Sequence, residues 1–236
     1  MYKDTAPYYD LIHSYKDYPT EVEKIVEIIR REHPEATSVL DIGCGTGEHV
    51  RLLSRNFTVE GIDIESRFVV LAQKKVPSGH FHVGDMRTFT LSRHFDVILC
   101  LFSSIGYLTE PKQVVAALRR FAEHLSPSGL IIIEPWFTPD AWQYKQPWLA
   151  PAVDSPEVKV CGLTISLGQG RISEIEFHYL IGESSGVRYL HEYHELALYT
   201  VDEMRSFFAE AGLLAVYDPV GITNRGLYIA RQTVEH

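Results

Sequence analysis

Basic residues are scarce in this 236-residue chain, which carries 22 lysines and arginines against 31 acidic residues and a formal charge of −9. Nucleic-acid binding depends on cationic surface that displaces counterions from phosphates. No block of basic residues stands out in the sequence, so the charge balance argues against a nucleic-acid partner. It leaves open only a local basic patch.

Cysteines and long apolar runs are also scarce. The three cysteines, Cys44, Cys100 and Cys161, are scattered through strand or strand-end contexts. Free buried thiols in a reducing compartment are therefore expected. No apolar run approaches the roughly 18 residues of a membrane span, and the first residues lack the hydrophobic region of a signal peptide. We expect a cytoplasmic protein with no membrane partner.

The most informative stretch is the glycine-rich sequence at residues 41–47, Asp-Ile-Gly-Cys-Gly-Thr-Gly, which follows the short apolar run 38–40. This pattern predicts a buried strand that ends in an acid, a tight turn, and a helix over residues 48–55. Glycine permits positive φ and lets a ligand approach the backbone closely. The glycines alone are equally compatible with a simple tight turn. We interpret Cys44 as a small residue that lines the turn rather than as a nucleophile.

Three more strand ends follow at regular spacing. The run 57–63 ends at Asp63, 22 residues after Asp41, where nucleotide-binding α/β folds place an acid on the ribose hydroxyls. A third run at 80–83 leads into Asp85 and Met86, and a fourth covers 95–100. Together these segments predict an α/β fold whose ligand lies at the carboxyl ends of parallel strands.

The second half of the chain changes character after a fifth apolar run at 130–133. Residues 137–157 are rich in proline and aromatics and predict an irregular arm. Three alternating runs then predict an antiparallel meander, before a helix and two closing strands: 158–167, 171–181 and 187–199, then 201–211, 213–217 and 227–230. The sequence therefore predicts a core domain of residues 1–136 and 200–236. The insertion at 137–199 is expected to roof the substrate.

Candidate substrate contacts follow the fourth and fifth strands, because ligands in open α/β sheets bind outside the strand carboxyl ends. Ser103, Ser104 and Trp136 lie there, although Trp136 could equally be a core residue. Arg225, before Gly226 in the last hairpin, could fork onto a phosphate. A plain surface arginine is the alternative.

Histidines in the insertion do not predict a metal site. His191 and His194 are three residues apart in a strand-like run, so they should point to opposite faces; the zincin pattern instead needs two histidines four apart on a helix. His178 could face a substrate or be a satisfied histidine of the sheet.

The glycine-rich sequence resembles the first motif of class I S-adenosylmethionine (AdoMet) methyltransferases. A wider set of segments resembles the N,N-dimethyltransferases that act on TDP-linked 3-amino-deoxysugars in macrolide and related antibiotic pathways. These segments are residues 9–10, 16–18, 102–106, 134–136, 176–179 and 225–227. The resemblance implies a Rossmann-like seven-stranded sheet with an inserted three-stranded antiparallel meander.

The same resemblance implies AdoMet as cofactor, a TDP-amino sugar as substrate, and a site for each. The residues implied to bind the cofactor are Tyr9, Tyr18, Gly43, Cys44, Gly45, Asp63, Ile64, Asp85, Met86 and Leu101. Ser103, Ser104, Trp136 and Arg225 would bind the nucleotide sugar. A homodimer is a possible assembly.

One departure from the resemblance concerns proton transfer. The related enzymes typically carry a histidine where this chain has Tyr107. A histidine with a pKa near 6.5 can accept a proton at neutral pH, whereas a tyrosine with a pKa near 10 does not readily do so. We take Tyr107, Glu134 and His178 as candidate catalytic residues that orient the amine. A methyltransferase for another small amine or hydroxyl, or a non-catalytic AdoMet-binding module, stays open.

Overall fold

The computed structural model describes residues 4–168 and 170–233, which form two sheets and the helices around them. The helices are α1 (Tyr9–Ile12), α2 (Tyr18–Glu32), α3 (Glu48–Leu53), α4 (Ser66–Lys75), α5 (Pro111–Glu123) and α6 (Val201–Glu210). Short 3-10 helices cover Ala6–Tyr8 and Ser104–Tyr107. The core strands are β1 (Ser38–Ile42), β2 (Thr58–Asp63), β3 (His80–Val83), β4 (Phe95–Cys100), β5 (Leu125–Ile133), β11 (Leu213–Asp218) and β12 (Leu227–Gln232).

The core sheet has seven strands in the order β11-β12-β5-β4-β1-β2-β3. The strands β3, β2, β1, β4 and β5 are parallel, and β12 runs antiparallel to β5. The strand order reverses between β1 and β4, which is the switch point where such sheets bind ligands. The predicted seven-stranded α/β class is confirmed.

Helices cover both faces of this sheet, so β5 is apolar along its whole second half. Leu130 and Ile132 pack with α2 and α3 on one face, while Ile131 and Ile133 pack with α5 and α6 on the other. The continuous apolar run at 130–133 therefore has a physical reason, since neither face meets water.

Helix α2 begins at Tyr18 behind an acidic cap. Asp17 is the N-cap, and its carboxylate accepts a hydrogen bond from the Thr20 backbone N–H at 3.1 Å. A proline at position 19 suits the first turn, where no backbone N–H is needed.

Strand β5 begins at Leu125, five residues before the apolar run at 130–133 that predicts it. The pairing with β4 shifts there, from Phe95 opposite Leu125 to Val97 opposite Leu130. The extra residues bulge out of the strand instead of separating a helix from it.

The insertion forms a second, antiparallel sheet that is larger than predicted. Its main strands are β8 (Lys159–Leu167), β9 (Ile172–Glu183) and β10 (Gly186–Ala197). Two short strands of the arm, β6 (Pro147–Leu149) and β7 (Val153–Asp154), also pair with β8. The predicted meander of three strands is therefore part of a five-stranded sheet. Residue 169, between the predicted runs 158–167 and 171–181, lies outside the described residues.

The cysteines and the helices test two further expectations. Cys44 and Cys100 are buried, but Cys161 is exposed, because β8 alternates and turns Cys161 outward between the buried Val160 and Gly162. The prediction of three buried thiols is thus wrong at Cys161. Across the two described ranges, every helix is too short or too polar to cross a membrane.

We expect the double-sided burial of β5 to dominate the stability of the core. Ile132 is fully buried, so Ile132→Ala should lower the free energy of unfolding by about 2–5 kcal/mol through lost transfer energy and a cavity. Val216→Ala, at a strand position that is 69% exposed, is the control and should change it by about 0.5 kcal/mol or less. Urea denaturation measures both; equal losses in the two variants would contradict this packing.

Candidate active site

A cleft of about 850 Å³ opens at the carboxyl edge of the core sheet, beneath the insertion. Its walls include all of the predicted cofactor residues: Tyr9, Tyr18, Gly43, Cys44, Gly45, Asp63, Ile64, Asp85, Met86 and Leu101. They also include all of the predicted substrate residues: Ser103, Ser104, Trp136 and Arg225. The volume is within the range of about 300–1,000 Å³ that is usual for small-molecule sites.

The glycine-rich turn needs its glycines for shape and for space. Gly43 and Gly45 have φ of +73° and +55°, a region that other residues seldom adopt. A Cβ on Gly43 would lie 2.6 Å from the Ser104 hydroxyl oxygen. The backbone N–H groups of Gly43 and Cys44 donate to the Ile62 carbonyl at 2.8 and 3.0 Å. The turn is thereby folded over the end of β2.

Asp63 ties this turn to the second strand. One carboxylate oxygen accepts from the Gly45 N–H and the other from the Glu65 N–H, each at 2.8 Å. Burial raises the pKa of Asp63, while these backbone hydrogen bonds oppose the rise. Each carboxylate oxygen can accept a second hydrogen bond, so Asp63 can still accept from ligand hydroxyls in the cleft.

Asp41, which we did not predict as a site residue, is a buried acid in the wall of the cleft. Its Oδ2 atom finds no hydrogen-bond partner among the described residues, and burial raises its pKa to about 7. Buried polar atoms in proteins almost always have partners. An unpartnered carboxylate of this kind suits a cationic ligand.

Aromatic residues from the N-terminal segment close one side of the cleft. The Tyr9 ring packs edge-on against Phe68 at 4.9 Å, and the Tyr18 ring packs edge-on against His49 at 5.1 Å. On the opposite wall, Asp85 forms an ion pair with Arg87, which lowers the pKa of Asp85.

Cys44 is an unsuitable nucleophile in this setting. Burial raises the pKa of its thiol well above the usual value, and the nearby acids Asp41 and Asp63 raise it further. Only the thiolate is nucleophilic, so the interpretation of Cys44 as a small lining residue is the one that the geometry favours.

The loop after β4 has a strained backbone. Phe102 and Ser103 have φ of 48° and 62°, a conformation that costs a non-glycine residue about 1–3 kcal/mol. The Phe102 N–H donates to Glu134 at 2.7 Å, and the Ser103 hydroxyl donates to the Pro135 carbonyl at 2.7 Å. Contacts from the end of β5 thus hold the loop in the shape that lines the cleft.

Arg225 reaches this loop from the hairpin between β11 and β12. Its Nη1 donates to the Ser103 hydroxyl oxygen at 3.0 Å. Its guanidinium carbon lies 5.1 Å from the ring centre of Phe102 and 5.8 Å from that of Trp136. The indole N–H of Trp136 donates to Ser173 at 2.8 Å. Arg225 is therefore a fixed cation in the wall of the cleft.

Of the three candidate catalytic residues, only Tyr107 lies in the cleft wall. Glu134 is buried behind the wall, where its carboxylate accepts from the Phe102 N–H and the Thr223 hydroxyl. It supports the loop, and the structure gives no contact between Glu134 and the cleft.

His178 lies outside the cleft, on the outer face of the insertion sheet. It hydrogen-bonds the Tyr189 hydroxyl at 2.5 Å. The expectation that it faces a substrate is wrong because β9 alternates, and its neighbour Phe177 turns towards the cleft instead. A sequence pattern fixes the alternation of a strand but not which set of residues faces inward.

His194 is a cleft residue that we did not predict. Its Nδ1 atom lies 2.8 Å from the Tyr107 hydroxyl and its Nε2 atom 3.3 Å from Glu192. His191 is exposed and His194 is buried, so the prediction that they point to opposite faces is confirmed. That prediction, with the apolar pattern of β10, was the only signal available for His194.

The outer face also brings Glu176, His178 and His191 together, with ligand atoms within 4.8 Å of one another. A metal ion held there would lie on the far side of the sheet from the cleft. The absence of a metal from the cleft chemistry stays a prediction.

Comparison with known proteins identifies the chain. A family model described as a methyltransferase domain matches residues 39–129. The chain is 36% identical over 230 residues to the dTDP-3-amino-3,6-dideoxy-alpha-D-glucopyranose N,N-dimethyltransferase of Streptomyces fradiae, covering 95% of this chain and 89% of that enzyme. Its fold matches that of DesVI from Streptomyces venezuelae with a TM-score of 0.92 and 32% identity, over 98% and 99% of the two chains.

A second solved structure shows a related protein with its cofactor. It is SAM-bound CalS10, an amino pentose methyltransferase from Micromonospora echinaspora, with a TM-score of 0.84 and 32% identity over 92% of each chain. The chain belongs to the class I AdoMet-dependent methyltransferase family that includes the dTDP-amino-sugar N,N-dimethyltransferases.

The acidic residues in the cleft wall of this methyltransferase suit AdoMet. AdoMet carries a sulfonium and an α-ammonium, and the wall offers the Asp41 carboxylate, whose Oδ2 atom has no hydrogen-bond partner among the described residues. Asp63 stands at the end of β2 with acceptor capacity for the ribose hydroxyls. These two acids would hold the cofactor across the glycine-rich turn.

The first prediction for the site concerns Asp63. Asp63→Ala should weaken AdoMet binding more than tenfold, since a hydrogen bond to a charged group contributes about 1.5–3 kcal/mol. Isothermal titration calorimetry measures the affinity. Asp202→Ala, at a side chain that is 92% exposed on α6, should leave it unchanged. Unaltered affinity in a folded Asp63→Ala protein would disprove the assignment.

The second prediction concerns the pH dependence of binding through Asp41. Its pKa of about 7 in the free protein means that it is neutral at lower pH, when it no longer attracts a cation. AdoMet affinity should therefore fall as the pH drops below about 7 and level off above it. Asp41→Asn should bind AdoMet more weakly and lose most of this dependence. Calorimetry across the range tests this, and an equal slope in the Asn variant would contradict it.

Proposed function

We propose that this methyltransferase methylates the amino group of a dTDP-linked deoxyamino sugar. The observation that carries the proposal is the position of Arg225, a cation fixed in the cleft wall of a chain with a net charge of −9. The relatives from Streptomyces fradiae and Streptomyces venezuelae are named for dTDP-amino-sugar substrates.

The contacts of Arg225 suit the binding of a phosphate better than the neutralisation of a neighbouring acid. A guanidinium presents five N–H donors in a planar fork, and one of them bonds Ser103. Its contacts with the Phe102 and Trp136 rings limit its rotamers, so little side-chain entropy would be lost when a diphosphate binds. The remaining donors can grip two phosphate oxygens at once.

Aromatic residues of the arm and the insertion would hold the thymine and sugar rings. Trp142 and Trp148 from the arm and Phe177 from β9 line the cleft, together with Tyr15 from the N-terminal segment. The rings of Tyr15 and Trp148 meet edge-on at 6.2 Å. We infer that residues 137–199 act as the substrate roof and set the choice of acceptor.

The chemistry needs no covalent enzyme intermediate. AdoMet supplies a methyl group activated by its sulfonium, and the amine nitrogen takes it with its lone pair as the carbon–sulfur bond breaks. The chain has to align donor and acceptor, which contributes at most about 7–11 kcal/mol. Asp41 and Asp63 would fix the donor side, and Trp136 and Arg225 the acceptor side. Tyr107 would contact the amine.

Three finer points belong to this proposal. The named relatives transfer two methyl groups, and we expect the same here. A homodimer and a cytoplasmic location stay predictions. Analytical ultracentrifugation of the purified chain would test for the homodimer.

Arg225 gives a direct test of the substrate class. Arg225→Ala should raise the KM for a dTDP-amino sugar at least tenfold while AdoMet binding stays intact, because a charge-assisted bidentate contact is lost. Arg225→Lys should recover only part of the loss, since an ammonium lacks the fork. Arg205→Ala, on the exposed surface of α6, is the matched control.

Competition by free dTDP completes this test. The nucleotide should inhibit the unmodified enzyme competitively and inhibit the Arg225→Ala variant poorly. If dTDP at millimolar concentration does not bind the unmodified protein, the nucleotide-sugar proposal fails. A methyltransferase for another small amine or hydroxyl then becomes the leading alternative.

A further inference from the structure

A buried chain of hydrogen bonds leads away from the cleft behind Tyr107. The Tyr107 hydroxyl lies 2.8 Å from His194 Nδ1, and His194 Nε2 lies 3.3 Å from Glu192 Oε2. The side chains of His194 and Glu192 are only 2% and 8% exposed. Tyr107 and His194 line the cleft, whereas Glu192 lies behind them.

The far end of this chain is anchored to the N-terminal segment. Glu192 Oε1 accepts hydrogen bonds from the Thr5 hydroxyl at 2.5 Å and from the Thr5 N–H at 3.3 Å. The His194 ring is also held edge-on against Phe177, with the ring centres 5.1 Å apart. The three side chains therefore have fixed orientations before any ligand arrives.

The hydrogen bonds fix the tautomer of neutral His194. An ionised carboxylate only accepts hydrogen bonds, so Nε2 carries the proton that faces Glu192. Burial alone would raise the pKa of Glu192, but the hydrogen bonds from His194 and Thr5 outweigh it and lower that pKa. Glu192 is thus ionised at neutral pH. The Nδ1 lone pair of His194 then points at the Tyr107 hydroxyl and can accept its proton.

An amino sugar presents the enzyme with a proton to remove. An aliphatic amine is largely protonated at neutral pH, as the lysine pKa of about 10.4 illustrates. An ammonium has no lone pair to accept a methyl group. One proton must therefore leave the nitrogen for each methyl group transferred.

We propose that Tyr107, His194 and Glu192 form a proton relay that deprotonates the ammonium of the acceptor. The ammonium gives a proton to the Tyr107 oxygen as the tyrosine O–H proton passes to His194 Nδ1. The tyrosine stays neutral, the amine gains its lone pair, and His194 becomes an imidazolium paired with Glu192. The imidazolium releases its proton to solvent before the next turnover, so each cycle balances.

The relay gives Tyr107 a route for proton transfer through His194, which lies 2.8 Å from its hydroxyl. A tyrosine alone is a poor proton acceptor at neutral pH, but it conducts a proton when an imidazole stands behind it. Tyr107 is then the catalytic residue that touches the amine. His194 and Glu192 are positioning residues that act through it. This inference rests on the proposed function, because it needs an amine acceptor.

The test is the pH dependence of kcat with a dTDP-amino sugar at saturating concentration. His194→Asn keeps a polar atom near the Tyr107 hydroxyl but cannot take up a proton. It should lower kcat about a hundredfold or more near pH 6.5, because a positioned proton acceptor contributes about 10²–10⁴-fold. The deficit should shrink steadily as the pH rises towards the pKa of the amine, because a growing fraction of the amine is then already unprotonated.

Two further variants make the result specific. Tyr107→Phe should show the same rescue at high pH, and it tests the relay even if the His194 variant folds poorly. His191→Asn, on the same strand but exposed, should keep the pH profile of the unmodified enzyme. His13, which also senses the Glu192 charge, has its pKa lowered to about 4 by burial, so it stays neutral throughout.

Each outcome supports or overturns the relay. A ratio of rates between unmodified enzyme and His194→Asn that stays constant with pH would mean a purely structural role and would overturn it. The same pH shift in His191→Asn would also overturn it. If the unmodified enzyme methylates no amino sugar at any pH, the proposed function is wrong and the relay falls with it. If the enzyme methylates the amino sugar but His194→Asn and Tyr107→Phe keep the kcat–pH profile of the unmodified enzyme, the relay is wrong and the proposed function stands.

Discussion

The carboxylate of Asp63 is the contact on which the shape of the cleft depends. By accepting hydrogen bonds from Gly45 and Glu65, it fixes the glycine-rich turn against the end of β2. Next to the turn, strand β1 places Asp41 in the wall, buried and without a partner for its Oδ2 atom among the described residues. Burial raises the pKa of Asp41, and the nearby Asp63 carboxylate adds to the rise. A bound cation would favour the ionised form of Asp41.

The loop after β4 also depends on contacts from a neighbouring strand end. The strained backbone at Phe102 and Ser103 would relax without the carboxylate of Glu134 and the carbonyl of Pro135. Because Glu134 directly follows β5, the strand that carries the apolar core also positions the carboxylate that holds this loop. Arg225 in turn donates a hydrogen bond to the Ser103 hydroxyl oxygen. The core sheet therefore holds in place the loop that carries the proposed substrate residues Ser103 and Ser104.

Much of this molecule is predictable from its sequence, for identifiable reasons. The strand β4 matches its predicted bounds, because a buried parallel strand produces a short apolar run with sharp ends. The edge strand β3 also matches its predicted bounds, although none of its residues is buried. The cofactor residues follow, since strand ends in a parallel sheet meet at one edge. The sequence does not reveal which face of a strand is covered. For that reason Cys161, which was expected to be buried, is exposed. His178, for which the sequence left open a substrate-facing position and a satisfied position in the sheet, hydrogen-bonds Tyr189 on the outer face.

Contacts between distant segments are the other part that sequence patterns miss. Tyr107 and His194 are 87 positions apart, and nothing local in either segment indicates that they meet. The most direct test of the assigned chemistry is mass spectrometry of a dTDP-linked deoxyamino sugar after incubation with the enzyme and AdoMet. We predict an acceptor that gains two methyl groups on its nitrogen, with one S-adenosylhomocysteine formed for each. An acceptor of unchanged mass, in the presence of an enzyme that binds AdoMet, would contradict it.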